Sequence, residues 1–273
     1  IDGTGSTAFR ADVGITGDKI SAVGVINDDG SPFIDAEGRC LSPGFIDTHS
    51  HADCSMFLYP DCESYLRQGI TTFIGGQCGD SNAPIFNWWM RKYWEYDMWN
   101  DIDPFIFSPR TIQPVERVLR TVYEKTGRRI EWRSFSEYAE HVAKQGLGCN
   151  MITLAGHSQI RADVMGLSQR RPPDGEEMKK IKAHIDEAFE AGVWGLSTGR
   201  DYPPSAYADF DEIVELAEYV RDLGGYYFTH WRRTGPRVGT PERPDRLAGI
   251  TEPLEIALAT GIKTQISHLA TGF

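Results

Sequence analysis

PGFIDTHSHAD, residues 43–53, is the stretch of this sequence from which the fold can be predicted. Pro43-Gly44 indicates a turn, and a short apolar run follows it. Two histidines separated by one residue come after that run. In an extended strand, residues i and i+2 point to the same side, so His49 and His51 can both reach one ion. A Pro-Gly turn, a buried strand and polar side chains at the end of that strand together indicate one unit of a parallel α/β architecture.

The same order of apolar run, loop and amphipathic helix repeats along the rest of the chain. The apolar runs, each predicted to be a buried parallel strand, are Phe45–Asp47, Ile70–Ile74, Met151–Leu154, Val193–Leu196, Tyr226–Phe228 and Lys263–Ile266. Helices are predicted at Glu176–Ala191, at Asp211–Leu223, and at Thr251–Ala259 with Thr251 as its N-cap. The sequence therefore predicts an α/β fold with six strand-helix units.

Two segments depart from this rhythm. Residues 1–42 consist of short strands and glycine-centred turns, which predicts a small β unit separate from the α/β region at 43–273. Residues 84–110 form an aromatic-rich insert. Its tryptophans are Trp88, Trp89, Trp94 and Trp99. Such a density favours packing against the body of the protein or a partner over a lid above an apolar substrate.

Composition excludes several classes of protein. The 273 residues include 28 Lys+Arg against 39 Asp+Glu, a net charge of −11, and 40% are hydrophobic, as in a soluble globular protein. No apolar stretch reaches the roughly 20 residues that span a bilayer, and the first residues lack the pattern of a signal peptide. The acidic balance disfavours a nucleic-acid partner. Five irregularly spaced cysteines favour reduced thiols in the cytoplasm.

Metal-capable side chains follow four of the predicted strands. They are His49, His51, Cys78, His230 and His268. A single strand-end histidine is usually structural, but the carboxyl ends of parallel barrel strands meet at one face, so these five are expected to converge. Imidazole and thiolate together favour zinc over magnesium or calcium. Five ligands exceed one open tetrahedral shell, which indicates two adjacent metal positions, or one tight and one weak, suited to hydrolysis of an amide, ester or imide.

Other reactive residue types have simpler interpretations. Four cysteines are expected to be small buried hydrophobic residues, namely Cys40, Cys54, Cys62 and Cys149. His157 follows the third run and is expected to contact substrate or to support those residues that do. The stretch at 195–206 would place Ser197, Thr198 and Tyr202 at the mouth, where a loop that shapes the pocket is favoured over a serine nucleophile.

These motifs resemble the D-aminoacylase (N-acyl-D-amino-acid deacylase) branch of the amidohydrolase superfamily. The matching segments are IDGTG at 1–5, PGFIDTHSHAD at 43–53, QGITTFIGGQCG at 68–79, LAGHSQIRADVMG at 154–166, GLSTGRDYPP at 195–204, FTHWR at 228–232 and QISHL at 265–269. The His-x-His pair is common to the whole superfamily, whereas the Cys78 motif together with GLSTG is more specific to this branch.

The resemblance implies a distorted (β/α)8 barrel with a small β-sandwich built from both chain ends. It implies a tighter zinc held by Cys78, His230 and His268, and a second, weaker position at His49 and His51. It further implies hydrolysis of an N-acyl amide by zinc-activated water, with the substrate near Tyr202, His157 and Arg161.

The aspartate that serves as general base in this family would lie beyond His268. We therefore expect the last two strands, this base and the rest of the sandwich to come from a complementary segment or subunit. Two alternatives remain open at this point. One is a hydrolase of cyclic amides, imides or lactams, similar to hydantoinases, and the other is a non-catalytic subunit that keeps the barrel for assembly.

Overall fold

A computed structural model describes residues 1–27, 30–86, 88–90, 112–201, 203–232 and 246–269. The chain divides into two compact units, Ile1–Phe45 and Ile46–Phe273. That the first unit is part of a β-sandwich stays a prediction.

The first unit contains one antiparallel hairpin. Strand β1 (Asp12–Thr16) pairs with β2 (Lys19–Gly24), and a bulge interrupts their register between Gly14 and Ile15. Gly17 in the connecting turn has a φ of +65°, which glycine adopts at no steric cost and which explains the tight reversal.

The second unit alternates strands and helices. Its strands are β3 (Phe45–Asp47), β4 (Ile70–Ile74), β5 (Trp88–Met90), β6 (Ile112–Pro114), β7 (Asn150–Ile152), β8 (Ala155–Gly156), β9 (Gly195–Gly199), β10 (Tyr226–His230) and β11 (Thr264–Ile266). Its helices are α1 (Ala52–Ser55), α2 (Glu63–Leu66), α3 (Val115–Thr126), α4 (Phe135–Gln145), α5 (His157–Met165), α6 (Gly175–Glu190), α7 (Phe210–Asp222) and α8 (Arg246–Thr260), with a 3-10 turn at Ser205–Tyr207.

The strands lie side by side in the order in which the chain supplies them. One sheet has the order β3-β4-β7 and another the order β8-β9-β10-β11. The pairs β4 with β7, β8 with β9, β9 with β10 and β10 with β11 are all parallel. The predicted parallel α/β architecture is confirmed, and the carboxyl ends of these strands point the same way.

The helices bury regularly spaced apolar faces on the strands. Helix α6 buries four apolar residues at spacings of three, four and three, and α7 buries four at spacings of three, one and three. These residues are Met178, Ile181, Ile185 and Ala188 on α6, and Ile213, Leu216, Ala217 and Val220 on α7. They pack with Leu196 and Tyr227 of β9 and β10 in one core. Asp174 and Asp209 cap the two helices by accepting hydrogen bonds from backbone N–H groups.

Several boundaries differ from the sequence prediction, among them the end of β10, which extends to His230. The third strand is divided into β7 and β8, and β9 extends to Gly199, so Ser197 and Thr198 are strand residues. Helix α8 begins by Arg246, and the hydroxyl of Thr251 donates to the carbonyl of Leu247 instead of capping. Contacts of α8 with the rest of the fold, such as the ion pair of Glu252 with Arg200, stabilise its first turns in spite of Pro253 inside the helix.

Part of the aromatic insert is described. Trp88–Met90 pairs antiparallel with Ile112–Pro114, whereas Trp94 and Trp99 lie outside the described residues, so the interpretation of the insert stays a prediction.

Within the described part of the chain, every helix is too short or too polar to cross a bilayer.

Candidate metal centre

The five predicted ligands converge at the carboxyl ends of the strands. Two overlapping groups of donor atoms form, each with all its atoms within 4.8 Å of one another, and Cys78 belongs to both. The first group contains His49, His51 and Cys78, and the second contains Cys78, His230 and His268. The geometry is that of two adjacent positions that share one sulfur.

Distances within the cluster match those of a coordination shell. Sγ of Cys78 lies 3.6 Å from Nε2 of His49, from Nδ1 of His230 and from Nε2 of His268. Tetrahedral zinc with bonds of about 2.3 Å to sulfur and about 2.05 Å to nitrogen separates the two donors by about 3.6 Å. A thiol has one proton to donate and is a weak acceptor. Hydrogen bonding to the thiol therefore does not explain why three imidazoles surround one sulfur. The donor set fits a zinc-like ion.

The His49–His51 segment is held by polar neighbours that the metal prediction did not include. The carboxylate of Asp47 accepts hydrogen bonds from the backbone N–H of His49, at 3.1 Å, and from the hydroxyl of Tyr65, at 3.2 Å. The hydroxyl of Tyr65 also contacts that of Ser50, and the backbone N–H of Ser50 donates to Ile74 on β4. Burial, with Asp47 adding to it and Ser50 opposing it, raises the pKa of Tyr65 to about 12, so the phenol keeps its proton.

Cys78 lies in a tight loop that depends on the glycines on either side of it. Its own φ is +58°, and Gly76 and Gly79 have φ values of +72° and +80°. A Cβ at Gly76 would lie 2.3 Å from the carbonyl oxygen of Leu154. Ser197 on β9 accepts a hydrogen bond from Gly79 N–H at 3.0 Å and donates to the Gly76 carbonyl, while Asp53 accepts from Gly76 N–H at 2.9 Å. The loop is thus fixed from two sides.

His230 has a buried carboxylate behind it. Nε2 of His230 lies 3.2 Å from Oδ2 of Asp201, and the two side chains are 1% and 4% exposed. The backbone N–H of Arg200 donates to the carbonyl of His230 at 2.9 Å, which joins the ends of β9 and β10 beside this pair.

His157 and Arg161, predicted near the substrate, lie in a fully buried ion-pair network with Glu212 of α7. Nε2 of His157 is 3.0 Å and Nε of Arg161 is 2.9 Å from Oε1 of Glu212. Nδ1 of His157 lies 2.8 Å from the hydroxyl of Ser205, and Arg161 also donates to the carbonyls of residues 169 and 171. Neither residue belongs to the clusters of possible ligands, and their predicted substrate role stays a prediction. Tyr202 lies outside the described residues.

Burial and charge set the ionisation of this network. Burial lowers the pKa of His157 below its ordinary 6.5, more than the hydrogen bond to Glu212 raises it. Burial alone would raise the pKa of Glu212, but hydrogen bonds from His157 and Arg161 and the charge of Arg161 lower it. Arg161 and Glu212 therefore form the charged pair, and His157 is neutral, with one tautomer able to bond both Ser205 and Glu212.

The remaining described cysteines divide into two kinds. Cys62 and Cys149 are buried with Met56 and Phe73, as predicted, whereas Cys40 is exposed, so the expectation of burial is wrong for Cys40. The described part of the sequence before β3 buries little, which leaves Cys40 without a core to enter. The side chain of Cys54 lies outside the described residues.

Sequence reasoning missed the residues that position the ligands, namely Asp47, Ser50, Asp53, Tyr65, Ser197 and Asp201. A signal for some of them was available. Asp47 and Asp53 flank the His-x-His pair, and Ser197 and Asp201 interrupt an apolar strand and its end with polar side chains. A polar residue in a buried strand needs a partner, which is a reason to look for one near the site.

Comparisons with known proteins identify the family of this chain. Residues 33–250 match the model of the amidohydrolase family. The chain is 30% identical to a D-aminoacylase of Alcaligenes xylosoxydans xylosoxydans over 98% of its length and 48% of the relative's. It is 33% identical to an N-acyl-D-aspartate deacylase of the same organism over 85% of its length and 41% of the relative's.

A solved structure shows the same fold. The N-acyl-D-glutamate deacylase of Bordetella bronchiseptica, in complex with zinc and a phosphonate inhibitor that mimics the tetrahedral intermediate, superposes with a TM-score of 0.72 at 26% identity. The superposition covers 96% of this chain and 48% of that one. The chain spans about half the length of the relatives it matches. From the family match and the parallel strand order, the chain belongs to the amidohydrolase family and has its TIM-barrel fold.

Proposed function

We propose that this chain carries the metal centre of a zinc-dependent hydrolase that cleaves the amide C–N bond of an N-acyl-D-amino acid or a closely similar substrate. The observation that carries the proposal is the placement of one thiol, Cys78, at 3.6 Å from three imidazoles. Matches to an N-acyl-D-aspartate deacylase and to an N-acyl-D-glutamate deacylase with bound zinc support the substrate class and the ion.

In this proposal the two donor groups have different tasks. Cys78, His230 and His268 hold the tighter zinc, because this group contains both of the buried donors, Cys78 and His230. His49 and His51 belong to a second, weaker position that shares Cys78. Zinc in such a site supplies Lewis acidity toward a carbonyl oxygen and lowers the pKa of water to near neutrality, which is the chemistry of amide hydrolysis.

The protein's own residues keep this cluster in one geometry. Asp47 and Tyr65 fix the chain at His49, and Ser197 and Asp53 fix the loop of Cys78. Because hydrogen bonds already present fix the chain at His49 and the loop of Cys78, these two ligands need little rearrangement to bind the ion.

We further propose that the general base, an aspartate, and the remaining strands of the barrel come from a segment or subunit outside residues 1–273. The relatives are about twice as long as the matched region, which supports this arrangement. Tyr202, His157 and Arg161 remain the proposed substrate-side residues, and the buried side chains of His157 and Arg161 would act through the residues that they bond, Ser205 and Glu212.

We also propose a reducing compartment, the cytoplasm, for this protein. Cys40, Cys62, Cys78 and Cys149 form no disulfide within the described residues, and the proposed role of Cys78 needs a thiolate.

The proposal is tested by replacing Cys78 with serine in the full-length protein and measuring zinc affinity by competition with a chromogenic chelator. We expect the affinity to fall by more than the roughly 100-fold that loss of an outer hydrogen-bond partner costs. Cys149→Ser is the matched control, since it changes another buried thiol, in the apolar cluster with Met56, and should leave zinc affinity within twofold.

Hydrolysis of a panel of N-acyl-D-amino acids, their L-enantiomers and cyclic amides then tests the substrate. Turnover of the N-acyl-D-amino acids that is lost in Cys78→Ser supports the proposal. Hydrolysis of the cyclic amides alone would overturn the substrate class. A wild-type protein that binds no zinc would overturn the metal centre and favour a barrel kept for assembly.

A further inference from the structure

Three imidazoles approach Cys78, and they do not do so in the same way. His49 and His268 present Nε2 to the sulfur, whereas His230 presents Nδ1. The Nε2 atom of His230 consequently points away from the cluster, toward Asp201 at 3.2 Å. A half-turn of the ring about its Cβ–Cγ bond would replace Nδ1 by a carbon and remove this donor from the cluster.

The carboxylate of Asp201 determines where the proton of His230 lies. The carboxylate oxygen of Asp201 faces Nε2 of His230, and a hydrogen bond from the imidazole to this oxygen places the ring proton on Nε2. The lone pair of Nδ1 then faces Cys78 and His268. Both partners are almost wholly buried, so solvent competes little with the bond between them.

The backbone that carries Asp201 is itself fixed. The neighbouring guanidinium of Arg200 is buried, pairs with Glu252 of α8 at 2.6 Å, and donates to the carbonyls of Ser205 and Ala208. Its backbone N–H is bonded to the carbonyl of His230. A carboxylate on so constrained a segment can hold a ring in one orientation.

Asp201 is not itself placed as a ligand. Among the described residues, both groups of possible ligands contain His and Cys only, and Asp201 belongs to neither. We propose that Asp201 is a positioning residue that holds His230 in the Nε2–H tautomer with Nδ1 directed into the metal centre, an inference that rests on the proposed function. Strand β9 supplies none of the proposed ligands, yet it and the segment after it position two of them, Cys78 through Ser197 and His230 through Asp201.

The first test uses Asp201→Asn in the full-length protein and measures zinc affinity by chelator competition. Loss of an outer carboxylate of this kind costs about 10- to 100-fold in metal affinity, and we expect a loss in that range. Asp163→Asn is the matched control, because Asp163 also faces a histidine, His184, at 3.4 Å, and neither residue belongs to the metal clusters. The control should stay within twofold of wild type, and an equally small change in Asp201→Asn would overturn the proposal.

The second test needs no variant to fold and no metal to bind. Nitrogen chemical shifts of ¹⁵N-histidine-labelled, metal-free wild-type protein report which nitrogen of His230 carries the proton. Protonated Nε2 and unprotonated Nδ1 support the proposal, and the opposite tautomer overturns it. Because this measurement is made without zinc, a wild-type protein that binds no zinc would refute the proposed function while the tautomer still decides the role of Asp201 toward His230.

Discussion

Sγ of Cys78 lies 3.6 Å from Nδ1 of His230, although 152 residues separate the two in the sequence. Cys78 follows β4 and His230 ends β10, and strands β5 to β9 come between these two in chain order. The pair meets because the loop after β4 reaches the carboxyl end of β9, where Ser197 bonds to Gly76 and Gly79. The proposed metal centre therefore depends on how this loop lies on β9.

Removing the hydroxyl of Ser197 should disturb that contact. In Ser197→Ala the buried N–H of Gly79 loses its acceptor, which costs about 1–3 kcal/mol in the free energy of unfolding. Because the loop also carries Cys78, we expect zinc affinity to fall as well. Denaturant unfolding and chelator competition measure the two effects.

Thr198→Val is the control for this prediction. Thr198 is the next residue on β9, is equally buried, and its hydroxyl bonds Tyr227 and Thr229, each at 2.8 Å. The variant should cost a similar free energy of unfolding but leave zinc affinity unchanged. Equal loss of zinc affinity in both variants would show that Ser197 has no specific effect on Cys78.

The buried network around Glu212 should contribute to stability and not to metal binding. Glu212→Gln leaves the fully buried guanidinium of Arg161 without its charge partner, and breaking a buried ion pair in this way costs about 3–5 kcal/mol. Glu215→Gln on the same helix breaks the half-exposed pair with Lys182 and should cost no more than about 1 kcal/mol. Urea unfolding compares the two, and similar values for both would refute the assignment.

Acid should destabilise the protein through His157. The unfolded chain protonates this histidine below about its ordinary pKa of 6.5, whereas burial keeps the folded protein from doing so until a lower pH. The unfolded state therefore binds more protons below pH 6.5, and stability falls as the pH decreases. Below pH 4.5 the lowered pKa of Glu212 acts in the same direction, because its ionised form is the one stabilised in the fold.

Melting temperatures of the wild type and of His157→Gln, measured from pH 7.5 to pH 5.0, check this prediction. The variant has no proton to take up at this position, so its melting temperature should fall less over that range, even if it starts lower. Parallel curves for the two proteins would mean that His157 does not titrate as its burial implies.

The convergence of the proposed ligands could be predicted from the sequence because the position of each depends on a local pattern. An apolar run followed by histidine places the side chain at a strand end, and parallel strands bring such ends together, which holds for His49, His230 and His268. The direction of a side chain at the start of a helix depends less on the local sequence and more on the helices packed around it. His157 also follows an apolar run, but helix α5 begins there and its imidazole faces Glu212 of α7.

The residues that orient the ligands could not be predicted for a related reason. Ser197 and Asp201 act on loops and strands far from them in sequence, and which side of β9 each one faces depends on where that strand begins and ends. The apolar run predicts a strand at Val193–Leu196, and the observed strand is Gly195–Gly199. Ser197 is therefore a loop residue in the predicted strand and an interior residue of the observed one. Its contact with Gly79 could not be inferred from the predicted boundaries.

Gly79 offers the sharpest test of how closely this loop packs. Its φ is +80°, and an added Cβ would lie 2.6 Å from Oγ of Ser158 and 2.8 Å from the backbone nitrogen of Gly199. Gly224, after α7, has the same kind of φ, +82°, with nothing within 4 Å of an added Cβ. Gly224→Ala therefore measures the backbone strain alone, about 1–2 kcal/mol.

Gly79→Ala adds a collision with the backbone of β9 to that strain. We expect a larger loss in the free energy of unfolding than in Gly224→Ala, together with weaker zinc binding, because relief of the clash must move the segment that carries Cys78. Urea unfolding and chelator competition on the two variants separate these contributions. If both variants lost the same stability and both kept wild-type zinc affinity, the loop would not be pressed against β9, and Ser197 could not fix the position of Cys78.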